Sequence, residues 1–194
     1  MRIGIDFDNT IICYDKVFNK TAVDLAFIPK DLASGKNYVR DYLREIDQED
    51  KWIWLQGYVY GTKLKNTQLY EGIKSFLKFC GQSNIDCFII SHKTKYPYSG
   101  EKYDLHRAAS DWIQHQGLNI GYFFELTKEE KIKRINILNC THFIDDLPEF
   151  LALPGFNEKI EKILFDPLRK YEQLDYAYHY TSSWDDILEL IKRK

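Results

Sequence analysis

The chain has 194 residues, of which 44% are hydrophobic, so it can bury one substantial core. Its 27 basic and 29 acidic side chains nearly balance, which argues against the positive field typical of binding to a nucleic-acid polymer. No apolar run approaches the ~20 residues of a transmembrane helix, and the chain opens on a strand rather than a secretion signal, so a membrane is not an expected partner. Four scattered cysteines without a CxxC pair predict reduced thiols and a cytoplasmic location: Cys13, Cys80, Cys87 and Cys140.

The first predicted strand, Ile3-Gly4-Ile5, runs directly into Asp6-Phe7-Asp8-Asn9-Thr10. Side chains two apart on a strand share a face, and where the strand stops the backbone can turn both carboxylates into one pocket. Two carboxylates in one pocket repel, and the usual remedies are a bound cation or a raised pKa on one of them. An acidic turn after an edge strand is the structural alternative.

The next segment, residues 14–68, is polar, aromatic and mainly helical in pattern, with Asp31 or Ser34 as candidate helix caps. We therefore predict a small helical insertion at 14–68, and an α/β core made of residues 1–13 and 69–194. Within the insertion, several side chains are candidate substrate contacts: Lys36, Tyr38, Arg40, Trp52, Trp54, Gln56, Tyr58 and Tyr60. For the aromatic residues among them, the alternative is that they form the core of the insertion.

From Tyr70 onward, helical and strand patterns alternate. The pattern predicts a helix over 71–80 ending at Gly81, a helix over 107–115 ending at Gly117, and a helix through Leu138 that opens with the capping-box spacing Thr127-Lys128-Glu129-Glu130. A last helix is predicted to begin at Ser183. The predicted strands between these helices are 87–90, 122–124, 141–144 and 163–165.

This alternation predicts a doubly wound, mostly parallel sheet covered on both faces. Ligands of such sheets bind at the carboxyl ends of the strands. The predicted strand ends carry four carboxylates and one hydroxyl, which should meet at one edge: Asp6, Asp8, Ser91, Asp145 and Asp146.

These residues resemble the four motifs of the haloacid-dehalogenase-like (HAD) hydrolase superfamily, in the right order over nearly the whole chain. The first motif is Asp6-Phe7-Asp8-Asn9-Thr10, and the second is Phe88-Ile89-Ile90-Ser91. The third is a lysine early in a helix, which Lys131 fits best and Lys128 second. The fourth is Phe143-Ile144-Asp145-Asp146, with a glutamate close behind.

The resemblance implies a Rossmann-like core with a small helical cap, and an Mg²⁺-dependent phosphatase. It implies that Asp6 is the nucleophile and forms an aspartyl-phosphate, and that Asp8 is the general acid and base. Mg²⁺ would be held by Asp6, the backbone carbonyl of Asp8 and Asp146, with Asp145 acting through water. Ser91 would bind a phosphoryl oxygen, and Lys131 would neutralise the phosphate. An acidic residue at position 8 points to phosphate-ester chemistry, because relatives that cleave carbon–halogen bonds lack it.

The substrate is expected to be a small phosphorylated metabolite, and candidate substrate-binding residues are Thr10, His92, Lys93, Arg40 and Trp54. For His92 and Lys93, a solvated loop is an equal alternative. A nucleoside monophosphate 5'-phosphatase stays open as a second function, and a catalytically silent binding protein with this fold as a third. A signalling receiver domain is a rival because it also has an acidic pocket on such a sheet. A homodimer is an open alternative to a monomer.

Overall fold

The computed structural model describes residues 1–171 and 178–193, and the helices and strands below are those of this part of the chain. The strands are β1 (Arg2–Ile5), β2 (Ile12–Cys13), β3 (Gln68–Leu69), β4 (Asp86–His92), β5 (Gly121–Glu125), β6 (His142–Asp145), β7 (Glu161–Phe165) and β8 (His179–Thr181). The α-helices are α1 (Asp15–Asp24), α2 (Lys36–Glu45), α3 (Glu49–Tyr58), α4 (Ile73–Gln82), α5 (Leu105–His115), α6 (Lys128–Ile137), α7 (Pro148–Leu151) and α8 (Trp184–Lys192). A π-helix over Val59–Lys63 and a 3₁₀ turn over Leu64–Asn66 continue α3.

Six of the strands form one sheet in the order β5-β4-β1-β6-β7-β8, and each neighbouring pair is parallel. Numbered along the chain within this sheet, the order is 3-2-1-4-5-6, the doubly wound Rossmann order. This confirms the predicted fold class. It also separates the chain from receiver domains, because those use the flavodoxin-like order 2-1-3-4-5.

Strands β1 and β6 are buried along nearly their whole length, and β4 is buried from Ile89 to Ser91, as expected of a parallel sheet covered on both faces. Ile3 and Ile5 of β1, Ile89 and Ile90 of β4, and Phe143 of β6 have no exposed surface. Such runs give strands 4–8 residues long without the alternation of a half-exposed sheet. Burial of β1 fixes the position of the acidic residues that follow it.

Of the helix ends predicted from local sequence, some are confirmed and others are wrong. At α6, Thr127 and Glu130 form the predicted capping box. The prediction that a helix ends at Gly81 is wrong, because Gly81 lies within α4 and Asn84 takes the left-handed conformation after it, with φ 54°. The predicted caps Asp31 and Ser34 are also wrong. Helix α2 begins after Gly35, and its first N–H, on Lys36, donates to the carboxylate of Asp15 at 3.0 Å.

The chain divides into two compact units. The first contains Met1–Ile12, Leu69–His92 and the chain from Asn119 onward, and the second contains Cys13–Gln68 and Lys93–Leu118. The second unit therefore includes the predicted insertion, but also a segment that the sequence assigned to the core. The second unit thus contains the loop after β4 and α5 in addition to the predicted insertion.

Close packing explains why 93–118 groups with the helices of the second unit. A Cβ atom at Gly57 of α3 would lie 2.5 Å from the Cβ atom of Pro97, and one at Gly61 would overlap the ring of Tyr103. A Cβ atom at Gly100 would lie 2.9 Å from Nε1 of the Trp54 indole. Glycines four apart on this helical segment let the loop approach its backbone, as small residues do wherever two backbones come together.

We expect Gly57→Ala to lower the free energy of unfolding by about 1–3 kcal/mol, because the methyl group must displace the proline ring. Gly81→Ala is the matched control, since a Cβ there meets nothing within 4 Å and alanine favours the helix. That variant should gain about 0.5–1 kcal/mol. Urea unfolding followed by tryptophan fluorescence measures both, and equal effects of the two variants would contradict the packing described.

The four cysteines, Cys13, Cys80, Cys87 and Cys140, are free thiols. Among the described helices, none combines the length and the apolar character that crossing a bilayer demands.

Candidate active site

The site lies at the carboxyl edge of the first unit, where β1 is flanked by β4 and β6. This is the point at which the strand order reverses, and ligands of doubly wound folds bind at such switch points. The ends of these three strands supply Asp6, Ser91 and the Asp145-Asp146 pair. The strand ends that the sequence predicted to converge therefore belong to adjacent strands.

The loop after β1 is held by its own backbone. The N–H groups of Ile11 and Ile12 both donate to the carbonyl of Phe7 at 3.1 Å, and the N–H of Asn9 donates to the carbonyl of Ile12 at 2.9 Å. Asn9 adopts the left-handed conformation, with φ 59°, which asparagine tolerates better than most residues. The chain thereby reverses immediately after Asp6, and Asp8 sits half-buried at the head of the loop.

Lys131 connects two of the strand ends. It lies in the first turns of α6, is 3% exposed, and its Nζ donates to Oδ1 of Asp6 at 2.6 Å and to Oδ2 of Asp145 at 2.7 Å. Its ammonium also lies over the ring of Phe150, 4.0 Å from the centroid. Lys131 is therefore the lysine in contact with the first-motif aspartate, whereas Lys128 opens the same helix half-buried.

Burial and charge act against each other in this cluster. Burial by itself lowers the pKa of Lys131, but the charges of Asp145 and Asp6 and the hydrogen bonds to them outweigh it and raise that pKa above its ordinary value. Burial raises the pKa of Asp145 to about 7, Lys131 opposes the rise, and the charge of Asp6 adds to it. The lysine thus stays cationic, and a further positive charge would favour the ionised form of Asp145.

The carboxylates fit a divalent cation. Asp6, Asp145 and Asp146 each offer an oxygen, and these oxygens lie within 4.8 Å of one another. Carboxylate oxygens are the ligands that Mg²⁺ prefers. Both oxygens of Asp145 are engaged, Oδ2 by Lys131 and Oδ1 by the N–H of Leu147 at 2.9 Å, which favours Asp146 as the direct ligand of the pair.

Three other predicted residues of the first unit have distinct environments. Ser91 ends the buried part of β4 and is almost fully buried. The imidazole Nε2 of His92 forms a hydrogen bond with the carbonyl of Leu126 at 3.1 Å. Thr10 is completely buried, and its carbonyl accepts a hydrogen bond from the indole of Trp184 at 3.1 Å. The hydrogen bond from Trp184 holds Thr10 within the loop, and its contact with substrate stays a prediction.

The remaining predicted residues lie in the second unit. Lys93 is 4% exposed, and its carbonyl is bonded to Nε2 of His106 at 2.8 Å. Arg40 is half-buried on α2 and forms an ion pair with Asp41 at 2.7 Å. Trp54 is half-buried on α3 and stacks on Tyr58, with ring centroids 4.9 Å apart.

Sequence reasoning missed the aromatic surroundings of Lys131. Phe143 and Phe150 lie beneath its ammonium, with the Phe143 centroid at 5.2 Å. An aromatic face stabilises a buried cation. Phe143 is visible in the sequence only as one more apolar strand residue, so nothing marks this role. The bond from Trp184 to Thr10 joins residues 174 positions apart and has no local signal either.

Solved structures resemble this chain over its whole length. A HAD-superfamily hydrolase from Ehrlichia chaffeensis has 16% sequence identity and a TM-score of 0.63, with 99% of this chain and 96% of that chain covered. A "predicted phosphatase" from Clostridium acetobutylicum has 14% identity and a TM-score of 0.65, with coverages of 100% and 98%. A "predicted phosphoglycolate phosphatase" from Haemophilus somnus has 12% identity and a TM-score of 0.56, with coverages of 97% and 96%.

Neither the protein-family models nor the curated proteins give a match to the sequence. The strand order and the acidic switch point define a doubly wound α/β protein with a candidate metal centre. The structural likeness then shows which fold of that class it is. The chain has the HAD-like fold that its four motifs predicted.

Proposed function

We propose that the protein is an Mg²⁺-dependent phosphatase that hydrolyses a small phosphate monoester. The observation that carries the proposal is the buried ammonium of Lys131, bonded to both Asp6 and Asp145 beside Asp146. Through this bond, Lys131 holds the Asp6 carboxylate in a fixed orientation, within a pocket suited to a cation and a phosphoryl group. The structural likeness to HAD-superfamily hydrolases supports the same reaction class.

In the proposed first step, a carboxylate oxygen of Asp6 attacks phosphorus. The bond from phosphorus to the leaving oxygen breaks, Asp8 donates a proton to that oxygen, and an aspartyl-phosphate remains. In the second step, Asp8 accepts a proton from water, the water oxygen attacks phosphorus, and the Asp6 carboxylate is released with inorganic phosphate. Lys131 keeps its charge throughout and orients Asp6, and the Ser91 hydroxyl donates to a phosphoryl oxygen.

Asp6, the backbone carbonyl of Asp8 and Asp146 would hold the metal ion, with Asp145 acting through water. When bound, Mg²⁺ supplies positive charge that offsets the two negative charges of a phosphate monoester. The hard oxygen ligands support this choice of ion over softer metals. The cytoplasmic location expected from the cysteine pattern belongs to the same proposal.

The proposal is tested with a generic aryl phosphate. We expect release of inorganic phosphate with Mg²⁺, loss of release with excess EDTA, and recovery when Mg²⁺ is restored. A catalytically silent binding protein would release none under any of these conditions. Turnover that EDTA leaves unchanged would exclude the metal requirement. A panel of phosphorylated metabolites, nucleoside monophosphates among them, then identifies the natural ester.

We also expect substrate choice to reside in the second unit, because the catalytic groups named above all belong to the first. Arg40→Met or Trp54→Leu should change relative kcat/KM values among natural esters and leave a small generic ester within about tenfold of wild type. Arg44→Met is the matched control, since Arg44 lies on the same helix and pairs with Glu49. Uniform losses for every ester would mean that Arg40 and Trp54 support folding instead.

A further inference from the structure

A cavity of about 430 Å³ lies within the second unit, between α1 and the helical segment that continues α3 as far as Asn66. Every residue that lines this cavity belongs to the second unit. Its volume lies in the range of pockets that hold small organic ligands, roughly 300–1,000 Å³. The side chains around it therefore indicate which class of molecule it would accept.

The lining of the cavity has three lysines and one carboxylate. Lys16 and Lys20 lie one turn apart on α1, and Lys63 comes from the other helical segment. Lys20 pairs with Asp24 at 3.0 Å, whereas Lys16 and Lys63 form no ion pair within residues 1–171 and 178–193. The other acid of α1, Asp15, accepts the first N–H of α2. With three ammonium groups and one carboxylate, the lining carries a net charge of +2, and a bound anion would offset it.

Stacked rings hold Lys63 beside the cavity. Lys63 is the last residue of the π-helix, an element that often marks functional sites. Its ammonium lies over the Tyr58 ring, 5.1 Å from the centroid, and Tyr58 also lines the cavity. Tyr58 stacks on Trp54, whose ring packs against Phe27 with centroids 6.0 Å apart. The tyrosine ring and the ammonium are thus both placed before any ligand binds.

Part of the lining is apolar. Val17 of α1 is buried, and Leu25, which follows the same helix, is an exposed apolar side chain. Asn66 adds an amide group that can donate a hydrogen bond. An apolar strip next to ammonium groups suits an organic anion better than it suits a bare inorganic ion or an uncharged molecule.

We propose that this cavity binds a small organic phosphate, whose phosphate group is held by Lys16 and Lys63 and whose organic portion packs against Val17, Leu25 and the Tyr58 ring. A phosphate monoester carries roughly −1.5 to −2 charge at pH 7, which matches the net charge of the lining. The inference goes beyond the proposed function and does not depend on it, because it concerns binding and needs no turnover.

The test is a titration of the full chain with phenylphosphonate, followed by the NMR signals of labelled valine and leucine methyl groups. This probe carries a phosphate-like group on a ring, and it has no ester bond for a phosphatase to hydrolyse. We expect saturable shifts at Val17 and Leu25, with a Kd of ~1 mM or below. Inorganic phosphate and benzyl alcohol each lack one half of the probe and should bind about tenfold or more weakly. Added salt should weaken binding of the probe.

Two other methyl signals locate the bound probe. Val39 is buried on α2 of the same unit and does not line the cavity, so its signal should stay unchanged. Leu147 follows the acidic pair of the first unit and donates its N–H to Asp145 at 2.9 Å. The Leu147 signal therefore reports binding at the candidate active site.

Variants assign the binding to the lysines. Lys16→Met and Lys63→Met should each weaken binding of phenylphosphonate severalfold, and together by about tenfold or more, because charge-assisted contacts are lost. Lys63→Arg keeps the charge and should retain most of the affinity. Lys51→Met is the matched control, since Lys51 belongs to the same unit but lies over the ring of Phe27, at 5.2 Å, outside the cavity. Circular dichroism checks that each variant folds.

Three results would each overturn the proposal. Equal affinities for inorganic phosphate and phenylphosphonate would mean an adventitious ion only. Shifts confined to Leu147, or no shifts at all, would mean that the cavity does not bind the probe. Equal effects of Lys51→Met and of the two cavity variants would mean that the lysines act only through overall charge. All of these results concern binding, so the proposed phosphatase function would still be judged by turnover alone.

Discussion

Asp6→Asn is expected to lower the rate of phosphate-ester hydrolysis more than a hundredfold, to the limit of detection. The amide is a poor nucleophile and a weak ligand for Mg²⁺, so the attacking group and one metal ligand are lost together. The substitution also removes the negative partner of the 2.6 Å bond from Lys131, whose ammonium would keep only Asp145. Steady-state release of phosphate, with the variant purified free of wild type, measures the effect.

The control for this experiment is Asp86→Asn. Asp86 begins β4 and pairs with Arg2 at an exposed position, 3.4 Å away, where such pairs contribute little. It should behave as wild type. Thermal unfolding of Asp6→Asn separates a chemical loss from a folding defect. If the folded variant kept more than about a hundredth of the wild-type rate, the covalent mechanism would have to be abandoned.

Asp8→Asn is expected to lower kcat by about 10²–10⁴-fold with a modest change in KM, because general acid–base catalysis is typically worth that much. Asparagine fits the loop that the Phe7 carbonyl and Asn9 organise, so the geometry should survive. The loss should be smaller for aryl phosphates than for alkyl phosphates, since an aryl oxide leaves with less help from a proton.

The comparison of the two ester types decides the role of Asp8. Rates are measured for alkyl and aryl esters on wild type and variant under saturating Mg²⁺. Equal losses for both types would remove Asp8 from the acid role. A loss confined to KM would instead indicate that Asp8 contributes to binding.

Local patterns predicted the framework of the first unit well. The apolar run at Ile3–Ile5, the capping box at Thr127 and the polar strand ends all depend on residues close in sequence, and the structure contains each of them. The error at Gly81 has a local cause too. Glycine is tolerated within a helix, and Asn84 was equally able to adopt the left-handed conformation that ends it.

Long-range contacts account for what the sequence could not predict. Asp15 caps α2 from another helix 21 residues away, so no residue beside Gly35 reveals it. The placement of 93–118 depends on Pro97 and Tyr103 fitting against glycines of the preceding helical segment. The one available signal was the spacing of Gly57 and Gly61, four residues apart. This spacing indicates that another segment approaches the helix closely, but it does not indicate which segment.

For the candidate site, sequence motifs indicated the residue types, and the structure adds how they are connected. The bonds from Lys131 to both Asp6 and Asp145 explain why a single lysine at that turn of α6 matters. The roles of Asp8, Ser91 and His92 stay predictions, as do the substrate contacts of Lys93, Arg40 and Trp54.

The two-segment composition of the second unit has a consequence for modular exchange between proteins. The chain passes from one unit to the other four times, after Ile12, Gln68, His92 and Leu118. A transplant of 14–68 alone onto another core would leave α5 behind, together with the loop that Gly57 and Gly61 accommodate. Exchange of this unit between proteins must therefore carry both segments at once, so a single crossover cannot transfer it intact.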